Sequence, residues 1–367
     1  MTEGRLKLAL IFGGRSAEHE VSLRSARSIF EAADKTRYHL MPILMTKEGA
    51  SYRRPPEAAS FDPEPALDES DRIVLSPDPA HKGFLLIAAG ERMEPLEVDA
   101  VFPVIHGTYG EDGTLQGLFD LANLPYVGCG VLASSMGMDK VIVKSAFRDA
   151  GLEVGPFFWF LRSYWKEHRG NILERLEKSE FPLFVKPANL GSSVGISRVT
   201  NVVEFEAAVE LAASYDRKIL VEDGIPGREL EVGVMGNDEV SASVPGEIVS
   251  KSDFYDYDEK YLDDTAELII PADLPPRIVD LARAYAVTAF QTVDGSGLAR
   301  VDMFLTPDDR IVINEINTLP GFTSISMYPK LWEESGIPYG ELIDKLVDLA
   351  LQRHEERASI LTRRDPP

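Results

Sequence analysis

Arg300-Val-Asp302-Met-Phe-Leu305, the turn Thr306-Pro-Asp-Asp309, and Ile311-Val-Ile-Asn-Glu315-Ile-Asn317-Thr-Leu-Pro-Gly321 decide how this chain is read. Successive side chains of a strand point to opposite faces. Arg300 and Asp302 therefore share one face, and Glu315 and Asn317 share one face of the next strand. The segment between them is rich in turn formers. The spacing predicts a β-hairpin with two carboxylates, an amide oxygen and a guanidinium on one side. Val301, Met303, Val312 and Ile316 would meet the core on the other. Three oxygen donors without Cys or His suit a hard cation, Mg²⁺ before Zn²⁺. The same alternation also describes a solvated hairpin face with a paired Arg and Asp.

Around this hairpin stand 367 residues, too many for one ordinary core and suited to two or three domains. Apolar residues make up 44% and charged ones 27%, the composition of a globular protein. No apolar run approaches the roughly 20 residues of a membrane span, and the N-terminus lacks the pattern of a secretion signal. Cys129 is the only cysteine, so an internal disulfide is excluded and a reducing, cytoplasmic setting is expected. A formal charge of −22 disfavours nucleic acid and anionic membranes. It also repels anionic ligands, so a phosphate-bearing substrate would need local Lys, Arg and metal.

Taken in order, Leu6 to Phe12 reads as a buried strand, Gly13-Gly14 as a turn, and Val21, Ser25, Ile29 and Ala33 as the stripe of a helix. This opens a doubly wound α/β domain. The third Gly of a dinucleotide fingerprint is missing, which argues against nicotinamide. Residues 46–97, broken by seven prolines, read as an irregular excursion with short strands at 72–75 and 84–88. Val98 to Ile105 is a strand ending in His106 and a Gly-rich turn, the strand end where such sheets bind ligands. A helix over 114–121 and a last strand over 124–128 complete the domain. Asp139 to Ala150 is a helix stopped by Gly151. Phe181 to Lys186 is a strand, and Gly191-Ser192-Ser193-Val-Gly195 after it can present backbone N–H groups to phosphate. Strands follow at Ile219–Glu222 and from Glu229, and residues 250–262, with three tyrosines among charges, read as an ordered lid. A helix from Ile278 to Val293 precedes the hairpin, and one around Leu342 and Leu346 follows it.

In order the motifs are Gly-Gly-Arg-Ser-Ala-Glu18-His-Glu-Val-Ser; His106-Gly with Glu111-Asp-Gly-Thr-Leu-Gln-Gly; Met-Asp-Lys140; Val-Lys186-Pro; Gly-Ser192-Ser-Val-Gly; Phe-Tyr-Asp-Tyr-Asp-Glu-Lys260-Tyr261; Arg300-Val-Asp302; and Asn-Glu315-Ile-Asn317-Thr-Leu-Pro-Gly321-Phe-Thr-Ser326. Each alone is weak, but eight in this order closely resemble the D-alanine–D-alanine ligases of the ATP-grasp superfamily, from about Leu6 to Leu351. The resemblance implies an α/β, three-domain ATP-grasp enzyme: a Rossmann-like, substrate-binding domain over 1–128, a central subdomain over 129–224, and a catalytic subdomain over 225–367 carrying the lid at 250–262.

The implied activity joins two D-alanines for peptidoglycan precursor synthesis, with ATP as co-substrate and a D-alanyl phosphate between. It also implies two Mg²⁺ ions, or Mn²⁺ in their place. Asp302 and Glu315 would hold one ion, Glu315 and Asn317 the other. Lys140 and Lys186 would reach the ATP phosphates under the loop of Ser192 and Ser193, and Lys260 the transferred phosphate. Glu229 would take the ribose and Glu222 line the adenine pocket. Glu18 would bind the first substrate's ammonium and His106 its carboxylate. Ser326 would bind the second substrate's carboxylate, and Arg300 with the Gly321 N–H would form an oxyanion hole. Glu18, Ser192 and Tyr261 would link three domains when the lid shuts. A homodimer is expected, with no nucleic-acid or membrane partner. The nearest alternatives are a D-alanine–D-lactate ligase, against which Lys260-Tyr261 speaks, and a regulatory nucleotide binder, against which the intact Arg300, Asp302, Glu315 and Asn317 speak.

Overall fold

A computed structural model describes residues 4–62, 67–68, 71–87, 93–177, 179–191, 194–249 and 267–361. The lid at 250–262 and the site candidates Ser192, Ser193, Lys260 and Tyr261 lie outside the described residues.

The first sheet contains β1 (Leu6–Gly13), β2 (Tyr38–Met45), β3 (Ser51–Arg53), β4 (Arg72–Leu75), β5 (Phe84–Ile87), β6 (Met93–Pro95) and β7 (Ala100–Pro103), in the order β6-β5-β4-β3-β2-β1-β7. β2, β1 and β7 are parallel, and the four remaining strands extend the sheet antiparallel. The excursion at 46–97 is thus a continuation of the sheet. β1 is buried on both faces, as a parallel strand between helices must be. Leu8, Leu10 and Phe12 pack with Leu23, Ala26 and Ile29 of helix α1 (His19–Ala32), while Ala9 and Ile11 pack with Leu115 and Phe119 of α2 (Thr114–Leu121).

One strand of this sheet is not marked by the sequence pattern, and one expected strand is absent. β2 is absent from the sequence reading because Pro42 interrupts its apolar run; Pro42 sits mid-strand opposite Leu10. The strand expected at 124–128 reduces to an isolated parallel bridge between Val101 and Tyr126. Pro125 and Gly128 keep that segment from extending the ladder.

The second sheet runs β10-β9-β11-β8, from β8 (Phe157–Leu161), β9 (Leu183–Pro187), β10 (Ser197–Val199) and β11 (Lys218–Asp223). Helices α5 (Arg162–Leu176) and α6 (Val202–Tyr215) pack on it through Trp165, Phe205 and Val209. The third sheet holds β12 (Arg228–Gly236), β13 (Val240–Ala242), β14 (Gly246–Val249), β15 (Glu267–Ile269), β16 (Gly297–Leu305) and β17 (Ile311–Asn317). The Pro276–Thr292 helix covers it with Ala282, Ala286 and Phe290. Helices α3 (Val131–Met138) and α4 (Lys140–Asp149), which link the first two sheets in sequence, bury Ala133, Val143 and Phe147 in this third core. The Tyr339–Ser359 helix returns to the first sheet, burying Leu342, Leu346 and Val347 against Leu8 and Leu10. No described helix is long and apolar enough to cross a membrane.

The predicted hairpin is present as β16 and β17, with Arg300 opposite Asn317 and Asp302 opposite Glu315. Its core face differs from the strict alternation. Met303 pairs with Ile313, so Asn314 is a β-bulge facing no partner residue. The extra residue shifts the parity: Ile311, Ile313 and Ile316 join Val301 and Met303 in this core, while Val312, also buried, pairs with Phe304.

Candidate active site

The site begins at the bulged hairpin. Asp302, 4% exposed, accepts from Arg300 Nε at 2.7 Å and Arg300 Nη2 at 2.8 Å. This bidentate fork fixes the guanidinium plane. Glu231 on the neighbouring β12 stands 3.0 Å from Arg300 Nε, giving the Arg two acidic neighbours. Asn317 Nδ2 donates to Asp302 Oδ2 at 2.9 Å, which leaves its amide oxygen as the donor-free end. Among the described residues no group of three Asp, Glu, His or Cys forms a metal cage. The donors here are two carboxylates and an amide oxygen, a set that fits Mg²⁺ when phosphate oxygens and water complete the shell.

Helix α4 brings the cations. Asp139 caps its N-terminus by accepting from Val141 N at 3.1 Å and Ile142 N at 3.2 Å. The first turn then aims Lys140 at the hairpin. Lys140 Nζ lies 3.2 Å from Glu315 Oε2 and donates to Leu190 O, in the Gly/Ser loop, at 2.9 Å. One turn on, Lys144 is fully buried on the same face. Its Nζ is 2.7 Å from Glu222 Oε1 and donates to the bulge carbonyl, Asn314 O, at 2.8 Å. Lys186 on β9 meets the other Glu222 oxygen at 2.6 Å. Burial alone would raise the Glu222 carboxyl, but Lys144 and Lys186 outweigh it and hold it at about 2. Burial with a like-charged neighbour, Lys186, lowers Lys144; for Lys186 burial also lowers, but Glu222, Glu315 and Glu229 prevail and raise it. Replacing a buried ion cluster with apolar residues is often neutral for stability, so three buried charges here point to function.

On the other flank, His106 at the end of the β7 segment is buried and holds the first and third sheets together. Its Nδ1 lies 3.0 Å from Leu319 O and its Nε2 3.0 Å from Ser25 Oγ of α1. Ser25 Oγ also accepts from Phe322 N at 3.4 Å. Glu111 stands 3.6 Å from His106 Nδ1. Burial would lower the imidazole, yet the Glu111 carboxylate raises it. Burial raises Glu111 itself, and the charge of Glu18 adds to the rise. Glu18 lies against two glycines: a Cβ on Gly107 would stand 2.5 Å from Glu18 Oε2, and one on Gly191 3.2 Å. Gly107 also has φ +74, so both space and backbone call for glycine there. Gly321 is close to Ser326, whose Oγ accepts from Thr323 N at 3.1 Å.

The fold therefore gathers Lys140, Lys186, Glu222 and Glu315 on one flank with Arg300, Asp302 and Asn317, and Glu18, His106, Gly321 and Ser326 on the other. Glu229 is on β12, opposite Phe304. Lys144, Glu231 and Ser25 went unassigned in the sequence reading. Helical spacing singles out Lys144 among them, since it sits four residues after Lys140 on a helix and so shares its face.

The chain matches two family models, D-ala D-ala ligase N-terminus over residues 7–129 and D-ala D-ala ligase C-terminus over residues 146–348. It is 50% identical over 361 residues to the D-alanine--D-alanine ligase of Heliobacterium modesticaldum, spanning 98% of each chain. Among solved structures it resembles the D-alanine-D-alanine ligase from Coxiella burnetii, with TM-score 0.84 and 36% identity over 97% of this chain and 96% of that one. It also resembles the VanG D-Ala:D-Ser ligase from Enterococcus faecalis, with TM-score 0.83 and 38% identity over 94% and 99% of the two chains.

Proposed function

The chain belongs to the D-alanine–D-alanine ligase family and is a ligase that joins two D-alanines, and from that premise we propose how its residues divide the reaction. A carboxylate has no good leaving group, so it must first be activated by ATP. A bond forms between the γ-phosphorus and a carboxylate oxygen of the first D-alanine, and ADP leaves. The amine nitrogen of the second D-alanine then attacks the acyl carbon. The tetrahedral intermediate expels phosphate, and the nitrogen sheds a proton.

Lys140 and Lys186 bind the ATP phosphates, with Ser192 and Ser193 covering them and Lys260 reaching the transferred group. Glu222 lines the adenine pocket and Glu229 takes the ribose. Asp302 with Glu315, and Glu315 with Asn317, would hold two Mg²⁺ ions, for which Mn²⁺ can substitute. When bound, such ions offset the charge of the phosphates. Glu18 binds the first ammonium and His106 lies at its carboxylate. Ser326 binds the second carboxylate. Arg300, held by Asp302 and Glu231, and the Gly321 N–H face the developing oxyanion; one such donor is worth roughly 2.7–4 kcal/mol in other enzymes. Tyr261 joins Ser192 and Glu18 when the lid at 250–262 shuts, which keeps water from the acyl phosphate. The contact of Glu18 with Gly191, next to Ser192, supports that link. The working units are taken as residues 1–128, 129–224 and 225–367. The enzyme is placed in the cytoplasm, as a homodimer, supplying peptidoglycan precursor.

The observation that carries this reading is Lys140, which touches the Gly/Ser loop and Glu315 at once and so joins the phosphate side to the metal side. The test is ATP turnover with D-alanine, L-alanine and D-lactate in turn. Phosphate release and dipeptide are expected with D-alanine alone. ATP hydrolysis without dipeptide would overturn the reading.

A further inference from the structure

We infer that Lys144 is a positioning residue that couples the nucleotide pocket to the metal-binding strand. Three observations carry this, and the inference rests on the division of roles proposed above. Lys144 is buried and contacts both sides, Glu222 Oε1 at 2.7 Å and Asn314 O at 2.8 Å. Asn314 is the bulge between the Asp302–Glu315 and Met303–Ile313 pairs, so its placement sets the register in which Glu315 and Asn317 pair with Asp302 and Arg300. Glu222 in turn holds Lys186 Nζ at 2.6 Å, so a shift of Glu222 moves a phosphate-binding cation.

The geometry is specific to an ammonium at this point. A bulge carbonyl has no strand partner and must find a donor when buried. Lys144 supplies that donor, and the same ammonium neutralises one carboxylate oxygen of Glu222 while Lys186 takes the other. One side chain therefore sets the height of Glu315 over the sheet and the place of Lys186 beside it. Lys144 lies on the same face of α4 as Lys140, which meets Glu315 directly. The two lysines form successive rungs: the outer one touches ligand-binding groups, and the inner one holds the groups behind them.

Lys144→Met keeps an unbranched apolar stem, one atom shorter, but removes the charge and the donors. Binding of a non-hydrolysable ATP analogue with Mg²⁺, read by calorimetry, is expected to weaken about tenfold, the lower end for outer-shell partners of metal sites. KM for ATP should rise in parallel, while KM for D-alanine stays within about twofold of wild type, because the Glu18–His106 flank does not touch Lys144. Lys144→Arg keeps a charge and donors and should recover part of the affinity. A residue of purely structural value would lower Tm and the active fraction and leave both KM values unchanged. That result, or equal nucleotide affinity in folded Lys144→Met and wild type, would overturn the inference. Should Lys144→Met fail to fold, Lys144→Arg decides alone: a measurable loss of nucleotide affinity supports coupling, and wild-type affinity refutes it. Calorimetry separates this inference from the reading beneath it. Wild-type protein that binds no nucleotide overturns both; wild-type protein that binds while the variant binds equally well overturns only the role of Lys144.

Discussion

Lys140 Nζ and Glu315 Oε2 stand 3.2 Å apart, joining the first turn of α4 to the last turn-facing strand of the third sheet. A divalent ion on Glu315 would sit beside an ammonium. Two unit charges about 4 Å apart interact by about 4 kcal/mol at an effective dielectric of about 20, so the repulsion is not small. Phosphate oxygens between them turn that repulsion into two attractions.

Metal and nucleotide are therefore expected to bind together. Mg²⁺ alone should bind weakly, and Mg²⁺ with an ATP analogue tightly, in a calorimetric titration. Glu315→Gln should keep its fold by circular dichroism and lose ATP turnover by more than about 100-fold, beyond what an outer-shell partner costs. Near-normal turnover at saturating Mg²⁺ would refute the metal assignment.

The Glu222 carboxyl is held at about 2 against an ordinary 4.5. Its folded pKa is depressed, so its contribution to stability is present above 4.5 and is lost as pH falls toward 2. The gap is worth about 3 kcal/mol, at about 1.4 kcal/mol per pH unit. The difference in unfolding free energy between wild type and Glu222→Gln should thus shrink as pH drops through that window. A difference that is constant from pH 6 to 3 would refute the ion cluster.

Ser25 joins His106 to Phe322 across two sheets. Ser25→Ala removes hydrogen bonds worth about 0.5–1.5 kcal/mol net each, a change of roughly several-fold in a binding constant. KM for D-alanine should rise by that factor with KM for ATP unmoved. Equal rises in both would show general loosening of the domain contact.

Tyr261 carries the acceptor prediction. Tyr261→Phe removes one hydroxyl and leaves the ring. With D-alanine and D-lactate both present, the variant should lose part of its dipeptide synthesis and gain measurable D-alanyl-D-lactate, most visibly at lower pH, where the amine is more fully protonated. A variant that makes less dipeptide and no depsipeptide at any pH would assign Tyr261 to closure alone.

Local chemistry was legible in the residues themselves. Alternation at period two marked the hairpin and put Arg300, Asp302, Glu315 and Asn317 on one face, as the ladder has them. Asp139 and Gly151 marked the ends of α4, which runs Lys140–Asp149. The ordered motifs sufficed for the family, since spacing and residue type survive without any knowledge of packing. Contacts between distant segments were not legible, because period and propensity describe only neighbours in the chain. His106 meets Leu319, Glu18 rests against Gly191, and Lys144 reaches Asn314 only because three sheets are packed together. Pro42 hid a central strand, and the Asn314 bulge moved the hairpin's core face by one residue, since the ladder tolerates both only where surrounding side chains hold them. Sequence alone thus determined the fold class, the family and its reaction, and it nominated the candidate site residues. Tertiary structure decided which of those candidates touch, and it set Lys144, Glu231 and Ser25 beside them through contacts between segments far apart in sequence.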